Sequence, residues 1–311
     1  MMAWRPLRKV GVMVVAAFVL AGSTGCEFED VFGPRVESSL VRTASFVAAG
    51  GLMIDAETAN GAVQLRGVEG QEDVQVRMTL RSRGKTLEEA NARLERIVVH
   101  VEQDGGRVAL RYAANEQDSH VRRHSGVEFD VTLPGTADVH VVTSNGAVRV
   151  ERVRGDLDLT TSNGKVVVEG FAGDVGARTS NGAIAVDGGE GALRLETSNG
   201  RIEISNVEAI VDAETSNGAI VFSGRLLDGA HRLSSSNGRI SVRVPETASI
   251  RFVARTSNST ISSSLPLAGD VTGRAWDAVL NAPAAAALTV ETSNGSIDLD
   301  ALLEAVPLPQ S

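Results

Sequence analysis

The tetrapeptide Thr-Ser-Asn-Gly, or a near copy, recurs down the second half of this 311-residue chain. Its asparagine falls at Asn145, Asn163, Asn181, Asn199, Asn217, Asn237, Asn258 and Asn294. The first four steps are 18 residues each, the next two are 20 and 21, and the last is 36. A fixed period of this length marks a repeat architecture, in which each unit buries its apolar face only against its neighbours.

Residues 156–170 serve as the type unit. Leu157 and Leu159 alternate with polar residues before the Asn-Gly, and Val166 and Val168 alternate after it. That is the period-two signal of half-buried strands. Asn-Gly reads as a turn because both residues accept positive φ. Gly155, Gly173 and Gly191 each lie ten residues after an asparagine, so a second, glycine corner closes each unit. Eighteen residues then make one flattened coil of two strands and two corners. Antiparallel hairpins and parallel stacked coils both fit this unit, but only stacking gives a polar amide a reason to recur at one corner. Coils about 4.8 Å apart bring successive Asn amides within bonding reach along the axis. The expected fold is therefore all-β, a parallel β-solenoid, with the corner Thr turned inward.

Few aromatics (4%) and 32 glycines suit short strands and tight turns. A single cysteine rules out an intramolecular disulfide, so stacking must hold the fold. Net charge is −9, and −12 without residues 1–25, which carry Arg5, Arg8 and Lys9 and no acid. A nucleic-acid partner would call for a basic stripe, and none is expected.

The N-terminus has the layout of a secretory leader (1–25): a basic start, then an apolar run from Val10 to Gly22 that is short for a membrane span. Ser23-Thr24-Gly25-Cys26 resembles a lipobox, departing from it at Ser23 where Leu is usual. Cys26 is thus the expected lipid attachment site. The protein is expected to be exported and anchored to the membrane through that lipid, at the outer membrane in a Gram-negative cell; ordinary cleavage and secretion is the alternative. Residues 26–45 read as a tether and 46–134 as an N-terminal cap. Within the cap lie a diverged coil at 53–68 with its corner at Asn60, a helix opening at Thr86-Leu87-Glu88-Glu89 by a capping-box pattern, flanking strands, and a polar loop at 115–125. Coils fill 135–302, interrupted by an irregular insert at 259–287, and a disordered tail (303–311) follows.

A lipoprotein-like leader, a strand–helix–strand cap and repeated Thr-Ser-Asn-Gly-x-Ile/Val units resemble the bacterial "putative adhesin" β-strand-repeat family over roughly residues 45–302. The most specific part runs from Asn145 to Asn217, with a return at Thr292-Ser293-Asn294-Gly295. The resemblance implies a right-handed coil at the cell envelope and a role as a non-enzymatic surface binding or structural protein. It brings no catalytic residues. An accessory role in envelope-stress signalling is the alternative within the family, and the ligand expected at the surface is an unidentified protein or carbohydrate.

The sequence gives no expectation of catalytic chemistry. Polysaccharide-active β-helices need acids converging on one face, whereas Asp156, Asp158, Glu196 and Glu214 alternate with Arg, Lys and Ser from unit to unit. His100, His120, His124, His140 and His231 lack ligand spacing. Asp187-Gly188-Gly189-Glu190-Gly191 occurs once, short of a repeated calcium motif. No catalytic residue, cofactor or metal is therefore assigned, and a monomer is expected.

Overall fold

The computed structural model describes residues 36–112 and 119–302. The leader, Cys26 and the tail at 303–311 lie outside the described residues. The chain divides into two compact units, residues 1–164 and 165–311.

In the first unit, strands Met53–Thr58 and Val63–Val68 form the coil around Asn60. They pair in parallel register with Asp138–Thr143 and Val148–Arg154 of the Asn145 coil, and Leu157–Thr160 stacks on Asp138–Thr143 in turn. On its other side the Asn60 coil pairs in parallel with Arg107–Tyr112 and Ser125–Pro134. The coil that comes first in sequence therefore lies inside the stack. Asp55 faces outward from it, yet Arg107 and Arg111 bond its carboxylate and leave it only 5% exposed. Burial raises the Asp55 pKa, but the two guanidiniums outweigh that and hold it below the usual carboxylate value.

The cap is antiparallel. Asp73–Gly84 runs between Val36–Val47 and Ser125–Pro134. Residues 36–45, assigned to a tether from their sequence, are thus a strand. Its alternation is hard to read because the inward positions include Ser38, fully buried and bonded to Asn91 at 2.6 Å. The helix is Leu87–Glu95. The Thr86 hydroxyl caps Glu89 N–H at 3.2 Å, and the Glu89 carboxylate accepts from Lys85 N–H at 2.7 Å, which ties the chain entering the helix. Ala90 and Leu94 are its buried residues. The polar loop expected at 115–125 contains a short helix, Ser119–His124; residues 113–118 lie outside the described residues.

In the second unit, Val166–Ala172, Ile184–Thr197, Ile202–Thr215 and Ile220–Leu226 stack in parallel, with Ile184, Ile202 and Ile220 in one column. The core is one file of inward Val, Ile and Leu with Phe222 and Phe252 fully buried. Coil order departs from chain order at the C-terminal end. Gly229–Ser235 pairs not with Ile250–Thr256 but with Ala286–Thr292, which then pairs with Ile250–Thr256 on its far side. Ile297–Ala301 likewise lies between Ile240–Val244 and Ile261–Ser263. The irregular insert explains this. Its strand Ala275–Leu280 pairs antiparallel with Ile250–Thr256 and takes one edge of that strand. Only the other edge is left for a coil, so the last coil enters between two earlier ones. The antiparallel hairpin, completed by Ala268–Asp270, covers the edge that would otherwise template aggregation.

Candidate binding surface

The repeated corner is built from three columns of contacts. At the Asn145, Asn163, Asn199, Asn217 and Asn294 corners the Thr hydroxyl points inward, accepts from its own glycine N–H and donates to the glycine carbonyl of the coil below it in the stack. For Thr215 these partners are Gly218 N–H and Gly200 O, both at 3.1 Å. Ser235 makes the same pair of bonds where serine replaces threonine, at 2.9 and 3.0 Å. The Asn side chains form an amide ladder on the outside. Within the first unit, Asn145 donates to Asn60 at 2.6 Å and Asn163 to Asn145 at 2.8 Å. Within the second, Asn199 donates to Asn181, Asn217 to Asn199 and Asn237 to Asn217, each at 2.8 Å. The ladder then steps to Asn294 and ends at Asn258, each step at 2.7 Å, in the spatial rather than the chain order.

The glycines have a different reason from the one their sequence suggests. No Asn or Gly of these described corners has a φ in the left-handed region; positive φ belongs instead to the second corner, at Gly155, Gly173 and Gly191 (137°, 132° and 136°). At the Asn-Gly corner, a Cβ on Gly164, Gly200, Gly218 or Gly238 would lie 1.7 Å from the carbonyl oxygen of the glycine one coil below. Glycine is required there because the backbones touch. In the Asn258 coil, which ends the ladder, Ser259 stands in the glycine position.

Of the outward acids, Asp158 pairs with His140 at 3.3 Å and Glu196 with Arg178 at 3.0 Å. Among the described residues no three His, Cys, Asp or Glu side chains are grouped to hold a metal ion. The side chain of His120 lies outside the described residues.

His231 differs from the other histidines because it occupies an inward position and is 3% exposed. The strand pairing of its coil with the one below begins at Asp212↔Arg232, so Val211 N–H lies just beyond the ladder. His231 Nδ1 accepts from that N–H at 3.1 Å, and Nε2 contacts Leu227 O at 2.8 Å, which fixes the neutral tautomer with its proton on Nε2. Burial lowers its pKa below the ordinary 6.5, against a smaller opposing effect of Leu227 O. With the folded pKa below the unfolded one, the unfolded state binds more protons, so stability falls as pH drops through and below 6.5. His231→Gln keeps an acceptor without a titrating ring. The difference in melting temperature between wild type and this variant should shrink or reverse from pH 7 to pH 5; a constant difference would show that His231 has the same pKa in the folded and unfolded states, against the effect of its burial.

The strand faces vary from coil to coil. The residue before the corner Thr or Ser reads, in spatial order, Arg178, Glu196, Glu214, Ser234, Glu291 and Arg255. At the short Ser234 the wall of long side chains is interrupted, and a depression of about 630 Å³ opens. Ser236, Ser257, Ser293, Arg255, Glu291 and Arg274 surround it. Arg274 comes from the irregular insert and donates to Ser257 O at 2.8 Å. Arg232 and Arg255 approach the two Glu291 oxygens at 3.9 and 3.8 Å, too far for hydrogen bonds. Neither Arg274 nor Ser234 stood out in the sequence. The available signal was an uncharged residue breaking a column of Arg and Glu, together with the irregularity of 259–287.

Comparison with known proteins gives one family. Its model, described as Toastrack DUF4097, matches residues 68–300. No curated protein matches the chain significantly. Solved structures similar to it include a "putative adhesin" from Bacteroides fragilis at 13% identity and TM-score 0.45, covering 83% of this chain and 96% of that one. A "putative cell adhesion protein" from Clostridium sporogenes has 8% identity and TM-score 0.30, with 84% and 99% covered. A "putative lipid binding protein" from Parabacteroides distasonis has 10% identity and TM-score 0.33, with 85% and 97% covered.

Proposed function

The chain belongs to the Toastrack DUF4097 family, and from that premise we propose that it is a non-enzymatic binding protein displayed at the cell envelope. The observation that carries this reading is the division of roles within a coil. Inward residues fill the core, and the corner Thr, Asn and Gly join one coil to the next. What remains is a long outward surface whose side chains change from coil to coil, the layout that suits recognition by repeat proteins. The basic start, apolar run and Cys26 support export and lipid anchoring.

Deleting the gene and measuring attachment and biofilm mass tests the reading. Loss of attachment should be restored by the wild-type gene and by a Cys26→Ala form only if that form still reaches the surface. Purified protein lacking residues 1–25 should compete with cells for the same surface. Unchanged attachment and biofilm in the deletion strain would refute a binding role.

A further inference from the structure

We propose that the depression over Ser234 binds an acidic saccharide, with its carboxylate or sulfate held by Arg255 and Arg274 and its hydroxyls by the surrounding serines. This deepens the surface-binding reading and rests on it. Charge is the first argument. The chain carries −9, yet this depression is lined by two guanidiniums, Arg255 and Arg274, and one carboxylate, Glu291, which Arg232 also approaches from beside the lining. Glu291 engages neither Arg232 nor Arg255 in a hydrogen bond, since the contacts are 3.9 and 3.8 Å. Each guanidinium presents five planar N–H donors suited to a forked grip on an oxyanion. Arg274 uses one donor on Ser257 O at 2.8 Å, which holds its head at the rim.

The rest of the lining selects the class of anion. Ser234, Ser236, Ser257 and Ser293 bring hydroxyls that both donate and accept, as sugar hydroxyls do. Protein partners are anchored by buried aromatic or aliphatic groups, and the only apolar residue in this lining is Ala275. The depression is open, so one sugar unit binds weakly, and an acidic polymer binds more tightly because it can rebind along its length.

The test uses purified protein lacking residues 1–25, with polygalacturonate and dextran sulfate as acidic probes and dextran as the neutral one. Both acidic polymers should be retained at 50 mM NaCl and lost at high salt, while dextran is not bound. Arg274→Ala and Ser234→Glu should each weaken binding by about tenfold. Ser234→Glu places there the residue that Glu214 and Glu291 already supply in the adjacent coils, so its melting temperature should match wild type and separate lost binding from lost fold. Polymer binding unchanged in Ser234→Glu would overturn the proposal. So would full competition by inorganic sulfate at equal charge, which would mark a bare anion site. Absence of binding to either acidic polymer up to about 10 mM in sugar units would overturn it too, yet would leave the attachment result standing.

Discussion

Gly218→Ala should destabilise the protein by about 3 kcal/mol or more, lowering the melting temperature by roughly 10 °C, measured by circular dichroism. Backbone conformation is not the reason, because Gly218 has no positive φ and alanine could adopt its angles. The added Cβ would lie 1.7 Å from Gly200 O and 2.5 Å from Gly200 C, and both are backbone atoms with no rotamer to change. Relief requires the two coils to part at that corner. Parting them stretches Asn217 N–H to Ser198 O (2.9 Å) and Thr215 Oγ1 to Gly200 O (3.1 Å), along with the amide bond from Asn217 to Asn199 (2.8 Å). Asn217→Ala is the comparison. It removes an exposed amide and leaves the backbone stack intact, so it should cost about 1 kcal/mol. If the asparagine variant proved the more damaging, the amide ladder rather than close glycine stacking would be what holds the coils together.

That ranking also shows where the sequence could and could not be read. The period, the inward Val, Ile and Leu, and the Thr turned inward follow from local alternation, and each of these holds in the structure. The reason for the glycine does not follow locally. An isolated Asn-Gly points to left-handed backbone, while the constraint that operates here comes from a residue 18 positions away in the next coil. Val36–Val47 was hidden because a buried serine, Ser38, stands in an inward position and finds its partner on the helix. The Ser234 depression needs Arg274 brought back over Ser257 by the antiparallel hairpin, a tertiary event with no local signature. Coil order was equally hidden, since every coil carries the same apolar pattern and could stack on any other.

Coil order yields the second large effect, in which removing the last coil unfolds residues that precede it in the chain. A chain ending at Ala285 should lose the fold of residues 250–285 although it retains all of them, while residues 229–244 should stay folded in it, as in a shorter chain ending at Thr247. The missing segment in the first case is the middle of a sandwich. Ala286–Thr292 separates Gly229–Ser235 from Ile250–Thr256, and Ile297–Ala301 separates Ile240–Val244 from Ile261–Ser263. Removing it strips Leu288, Val290, Ile297 and Leu299 from the core, all at most 1% exposed. At about 2 kcal/mol for each such side chain, the loss approaches the whole stability of an ordinary domain, about 5–15 kcal/mol. The strand Ile250–Thr256 would keep only its hairpin partner and would have nothing to cover its inward Phe252. In the shorter chain the Asn237 coil still pairs below, through Asp212↔Arg232 and Ile220↔Ile240, and exposes only one new edge. Limited proteolysis distinguishes the two. The 1–285 chain should be trimmed rapidly back toward residue 247 and should aggregate before trimming, while the 1–247 chain should resist cleavage beyond its last few residues and stay soluble. Equal protection of residues 250–263 in the 1–285 chain would mean that the Asn258 coil can stack directly on the Asn237 coil, and that the insertion of the last coil is not what holds this end together.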